Sequence, residues 1–126
     1  MDVPYLFYKE PSGVKVEFEG TYSFSDNNQA TVELYDHPEF SELKYIIWDF
    51  TGVSRMEMTP VETDIASMMD KEASSRLPHT KVALITQDPF TRQLCQSYIA
   101  DCGNRKLEWD FLVADTLEQA RKWIDV

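Results

Sequence analysis

Lys44-Tyr45-Ile46-Ile47-Trp48-Asp49-Phe50, then Thr51-Gly52-Val53-Ser54-Arg55-Met56-Glu57-Met58, then Thr59-Pro60-Val61-Glu62, is the stretch that decides the fold. Its first seven residues are apolar at nearly every position, as in a central strand covered on both faces. Its end supplies an N-cap hydroxyl on Thr59, a proline at the first helical position and a glutamate at capping-box spacing. Strand, loop and helix are therefore expected in that order.

The same arrangement recurs downstream. Residues 80–86, TKVALIT, read as a second covered strand. Residues 106–113, KLEWDFLV, alternate, with Leu107, Trp109, Phe111 and Val113 inward and Glu108 and Asp110 outward, as suits a strand nearer the sheet edge. A helix follows each strand. Their expected core faces are Val61, Ile65, Met68, Met69 and Ala73; Phe90, Leu94, Cys95, Tyr98 and Ile99; and Leu117, Ala120 and Ile124. Asp88-Pro89 repeats the cap and proline, and Asp115-Thr116-Leu117-Glu118 reads as a capping box with Asp115 as the cap.

Upstream, Val14, Val16, Phe18, Gly20, Tyr22 and Phe24 alternate with Lys15, Glu17, Glu19, Thr21 and Ser23. Strict period two predicts a strand over 14–24 with one buried and one wet face, usually in antiparallel pairing. Pro11-Ser12-Gly13 is a turn signal, so residues 3–9 are its hairpin partner, and Gly20 marks a bulge or a close neighbour. Ser25 to Asp36 reads as a helix ended by His37-Pro38. The expected fold is α/β. An N-terminal antiparallel hairpin is followed by parallel βα units, forming one mixed sheet in a single domain over residues 1–126.

The chain has 126 residues and a formal net charge of -10, with 22 acids against 12 bases. Sixteen aromatics argue against a disordered chain. So few bases disfavour nucleic acid and anionic membrane surfaces, both of which require Lys and Arg against phosphate. The N-terminus lacks the parts of a signal peptide, and the longest apolar run, Tyr45 to Trp48, is far shorter than the roughly 20 residues that span a bilayer. A cytoplasmic protein without membrane insertion is the expectation. Cys95 and Cys102, if on one helix, stand about 10 Å apart. A disulfide needs Cα atoms within about 7 Å, so both are expected free and core-facing.

In an open α/β sheet, ligands sit at the carboxyl ends of the strands. The candidates there are Asp49, Thr51, Ser54, Arg55, Glu57, Thr59, Asp88 and Asp115. Phosphate-cradling loops, dinucleotide fingerprints and nucleophile elbows are absent. His37 and His79 sit beside prolines in expected loops, and no spacing supports a metal site. Asp49 and Glu57 flank one loop, and a carboxylate pair can do acid–base work. Chance proximity explains them better in so acidic a chain, so neither a catalytic residue nor a cofactor is expected.

The segment Trp48 to Pro60 resembles the strand–loop–helix of STAS domains of the SpoIIAA-like, anti-sigma-factor antagonist group. Asp49, Thr51, Gly52, Val53 and Met56 fall in step with that pattern, and Glu57 stands in place of an Asp. The order of the later strands and helices, closing on EQARKWI, is similar to the same group. The resemblance implies a non-enzymatic regulatory module that binds a protein partner. In it, Thr59 would be the phosphorylated position and Asp49, Thr51, Gly52, Ser54, Arg55 and Glu57 the interaction loop. Met58 and Pro60 depart from the Ser and Gly of that pattern, and Arg55 from its apolar residue. Thr59 is equally explained as a helix cap. An alternative is a small apolar or lipid-like ligand, by likeness to Sec14-type folds, with the Met68-Met69 pair and the aromatics lining a pocket. The edge strands and three tryptophans also suit a homodimer.

Overall fold

The computed structural model describes residues 5–126. It contains five strands: β1 (Tyr5–Lys9), β2 (Gly13–Tyr22), β3 (Tyr45–Met56), β4 (Lys81–Ile85) and β5 (Asp110–Ala114). The helices are α1 (Phe24–Tyr35), α2 (Pro60–Arg76), α3 (Pro89–Asn104) and α4 (Leu117–Ile124), with a short 3-10 turn at Phe40–Glu42. The strands lie side by side in chain order, β1 to β5. β1 is antiparallel to β2, and every later pair is parallel. The hairpin is where the sequence places it, although residues 3 and 4 of its first strand lie outside the described residues.

Sequential strand order explains where the helices lie. Crossovers between successive parallel strands take one hand, so α1, α2 and α3 all fall on the same face. There Ala30, Leu34, Ala73, Leu77 and Leu94 meet Val16, Phe18, Ile46, Phe50 and Leu84 in one core. The last helix has no crossover to complete, and α4 folds onto the opposite face. Ala120 and Ile124 there cover Tyr45, Ile47, Ala83, Ile85 and Ala114. Residues alternate between the two cores along β3 and β4, so both strands are covered on both sides, as their composition implies. β5 forms an edge, but Leu112 and Ala114 pack under α4, so its second face is covered rather than wet.

Caps set the helix starts. Ser23 and Thr59 each close a capping box, with Asp26 and Glu62. Asp88 accepts from the Thr91 amide ahead of Pro89. The α4 cap differs from expectation: Thr116 accepts from the Gln119 amide, while the Asp115 carboxylate pairs with Arg92 of α3. Phe24, expected at the end of β2, instead opens α1, because the Ser23 cap ends the strand two residues earlier.

Helix α2 turns a different face inward from the one its apolar residues suggest. Val61 is 70% exposed and Met68 53%, while Thr63, Ala66, Ser67, Asp70, Ala73 and Ser74 are buried. The buried hydroxyls cost little because each has a partner. Thr63, Ser67 and Ser74 donate to the carbonyls of Pro60, Asp64 and Lys71 at 2.9, 2.6 and 2.8 Å. Small side chains let α2 lie close against α3, where the Arg105 Nε donates to the Ser67 Oγ at 2.9 Å.

An ion pair joins the hairpin turn to α4. Arg121 donates to both Glu10 oxygens, at 2.9 and 2.6 Å, and the Tyr45 hydroxyl donates to the same carboxylate. The arginine and the tyrosine hold the Glu10 carboxyl down at about 2, from 4.5. A carboxyl lowered on folding stabilises above its unfolded value and loses that contribution as pH falls through its folded one. Glu10→Gln is therefore expected to cost about 1–3 kcal/mol at neutral pH, after allowance for partial exposure, and almost nothing near pH 2. Denaturant titrations of both chains across that range would check it. A wild-type advantage that persists at pH 2 would refute it.

Candidate functional site

The segment after Phe50 does not leave the sheet. β4 pairs with β3 only as far as Asp49↔Ile85, but β3 runs on to Met56 against the end of β2. Asp49, Thr51, Gly52, Ser54 and Arg55 are therefore strand residues, not loop residues, and of the expected interaction loop only Glu57 lies beyond the strand. Local composition gives no hint of this, because pairing with β2 supplies the order. At two register shifts, facing Glu17/Glu19 and Gly20/Thr21 of β2, β3 takes one extra residue each time, and these irregularities let the two strands coil together past the rest of the sheet.

Two glycines make this overhang feasible. Gly20 sits at φ +71°, the left-handed conformation typical of a bulge glycine. Gly52 faces a different constraint, since a Cβ there would stand 2.7 Å from the Phe18 carbonyl oxygen. Backbone cannot yield as a flexible side chain can. Gly52→Ala is expected to destabilise by about 1–3 kcal/mol in urea unfolding, through overpacking alone. Wild-type stability in that variant would show that the strands can separate without cost.

The side chains of the overhang have local partners. The Asp49 Oδ1 accepts from the Thr51 amide at 2.9 Å and from its hydroxyl at 2.7 Å, which fixes the chain as it passes the end of β4. The Arg55 Nε lies 3.1 Å from a Glu57 carboxylate oxygen, both exposed. Asp49 and Glu57 are thus held by different neighbours, and no shared proton site joins them. Thr59 is exposed at the start of α2. Its hydroxyl accepts from the Glu62 amide at 3.3 Å, and its own amide donates to the Glu62 carboxylate at 3.0 Å. Thr59→Ala is expected to cost about 1 kcal/mol of thermal stability, the usual worth of a cap.

Because the strand order never reverses, the sheet has no topological switch point and hence no crevice of the kind that holds ligands in doubly wound folds. An interior cavity lies elsewhere, between the sheet and α1–α3. It measures about 70 Å³, and Tyr22, Trp48, Phe50, Trp109 and Asp70 are among its walls. Sequence reading missed Asp70, because an acid in mid-helix reads as a solvated face. The only signal was its place in the small-residue series Thr63, Ala66, Ser67, Ala73, Ser74. His37 and His79 are exposed, and both cysteines are buried and free on α3, with burial pushing each thiol up to about 12. Among the described residues no group of His, Cys, Asp or Glu could hold a metal ion, and no helix is long and apolar enough to cross a membrane.

A five-stranded mixed sheet with one antiparallel hairpin, three helices on one face and a closing helix on the other is the SpoIIAA-like fold. The chain is similar to the anti-sigma factor antagonist SpoIIAA in its unphosphorylated form, at TM-score 0.59 and 15% identity over 96% of this chain and 97% of that one. The phosphorylated form of the Bacillus cell fate determinant SpoIIAA matches at 0.58 and 17% identity, over 95% and 98%. An uncharacterized DUF3478-family protein with a SpoIIAA-like fold from Shewanella loihica PV-4 matches at 0.55 and 13%, over 95% and 91%. No protein-family model and no curated protein matches the sequence.

Proposed function

We propose that this chain is a non-enzymatic regulatory module of the cytoplasm that docks a protein partner on the outward face of α2 and the adjoining β2–β3 overhang. The observation that carries the reading is the exposed apolar row Val61, Met68 and Met69, within about three turns along the helix from Thr59. Apolar side chains turned outward at helical spacing suit a partner's groove. The acid excess supports a basic partner, since residues 1–63 hold 12 acids against 4 bases and the remainder 10 against 8. SpoIIAA, which shares the fold, is an antagonist found in phosphorylated and unphosphorylated forms. Thr59 is the position for such control here. A phosphate there would compete with the Glu62 carboxylate for the helix N-terminus and add about 1.5 to 2 negative charges beside the docking face.

The test is cross-linking from a photoreactive residue at position 65, in lysate of the source cells. A partner captured by the wild type, lost with Met68→Asp, weakened by Thr59→Glu and unaffected by Lys122→Ala on α4 is the expected pattern. Equal capture by all four chains would refute docking here. Recovery unchanged by Thr59→Glu, with no phosphate on Thr59 by mass spectrometry, would refute phospho-control alone.

A second reading, a small apolar or lipid-like ligand, draws on the interior cavity. At about 70 Å³ it is too small for a lipid-sized ligand, since pockets for drug-sized ligands run to roughly 300–1,000 Å³, so this reading ranks behind docking. Pairing of two copies through the free β1 or β5 edge is a third arrangement, which sedimentation decides.

A further inference from the structure

Asp70 is a buried acid, 8% exposed, in the wall of an aromatic cavity. Its two oxygens accept from the hydroxyls of Tyr35 on α1, at 2.5 Å, and Tyr98 on α3, at 2.6 Å. Among the described residues no lysine, arginine or histidine pairs with it. A carboxylate offers about four lone-pair positions, and the tyrosines use two. The remaining positions belong to an acid that no cation neutralises. Around it stand Tyr22, Trp48, Phe50 and Trp109, rings whose faces attract positive charge. Asn27 and Met56, which also line it, are half-buried, so the cavity lies nearest the surface where α1 meets the end of β3.

We propose that this cavity is a binding site for a small organic cation, a primary ammonium whose N–H groups meet Asp70 while its carbons lie against the aromatic walls. The reading is independent of partner docking on α2. Size sets the ligand class. An engineered apolar cavity of about 150 Å³ accepts benzene, so about 70 Å³ accommodates an ammonium head with three or four heavy atoms. A neutral ligand of that shape would leave the acid unpaired, and an anion would be repelled by it.

The probes are n-propylammonium chloride and its neutral isostere n-propanol, added to the full chain at constant ionic strength. The readout is the indole N–H resonances. Trp48 and Trp109 line the cavity, whereas Trp123 belongs to α4 on the other face and serves as the control. Propylammonium is expected to shift the first two and not the third, with an apparent affinity at least about tenfold above propanol, as charge-assisted hydrogen bonds imply. Asp70→Asn keeps the shape and should bring the two probes to within about twofold of each other. Ala66→Leu, which fills the cavity, should abolish both shifts. Equal affinities in the wild type, retained preference in Asp70→Asn, or no movement of Trp48 and Trp109 up to about 50 mM would overturn the proposal, the last meaning that the cavity holds water only. If Asp70→Asn fails to fold, the comparison of probes on the wild type decides alone.

Discussion

Phe18→Ala is expected to lose about 3–5 kcal/mol of unfolding free energy, which for a chain of this size is a large share of the total. Phe18 is 1% exposed and sits midway along β2, at the root of the overhang. Its ring stacks on Phe50 at 5.4 Å between centroids and on Trp48 at 5.9 Å, and meets Tyr22 edge-on at 4.7 Å. Truncation removes the ring's own burial and leaves those rings without a neighbour on one side. The measurement is chemical denaturation followed by far-UV circular dichroism. A loss below about 1.5 kcal/mol would mean that the aromatic cluster closes over the gap, contrary to what its close packing implies.

The second large effect is pH-dependent and carries the opposite sign from Glu10. Burial raises the Asp70 carboxyl from 3.8 to about 6, partly offset by the Tyr35 and Tyr98 hydroxyls. A group whose folded value is raised binds its proton more tightly in the folded state. It therefore costs nothing below the unfolded value, and stability falls as pH rises from 3.8 towards 6. Relative to wild type, Asp70→Asn is expected to gain about 2–3 kcal/mol between pH 4 and pH 7.5. The folded carboxyl holds its proton roughly a hundredfold more tightly than the unfolded one, and each factor of ten is worth about 1.4 kcal/mol. Paired urea titrations at both pH values check this. A gap between the two proteins that stays constant with pH would show Asp70 to be solvated. Tyr35→Phe should widen the gap, because it removes a donor from the charged form.

How much of this was legible depended on whether a property was local. The strand–helix repeats were, because Ile46-Ile47 and Val82-Ala83-Leu84-Ile85 are dense enough to need cover on both sides, and Thr59 and Asp88 carry their caps within three residues. The extension of β3 was not. Thr51 to Arg55 has no alternation of its own, because β3 itself takes the extra residues at both register shifts, and its strand geometry is imposed by pairing with β2, about thirty residues upstream. The inward face of α2 was misread for a related reason. Hydrophobicity points to Val61, Met68 and Met69, but a helix squeezed between α1 and α3 needs small side chains, and Ser and Thr do not read as core. Asp70 was hidden by the same rule. Asp115 looked like a cap because both it and Thr116 can cap, and only the position of Arg92 across the loop separates them. In the candidate segment, Thr51 to Arg55 were read as loop and are strand.

The agreement between strand order in space and in the chain has a kinetic consequence. Every strand except the first finds its partner in the strand made just before it, so sheet contacts never wait for a distant segment. Loop-closure entropy is met one crossover at a time, each closing a loop of about thirty residues. On the ribosome the sheet can grow from its N-terminal hairpin one strand at a time, each new edge capped by the next arrival. The exception is the Arg121–Glu10 clasp, whose partners lie 111 residues apart. It can close only after α4 has emerged, and so it marks the completion of folding rather than its start.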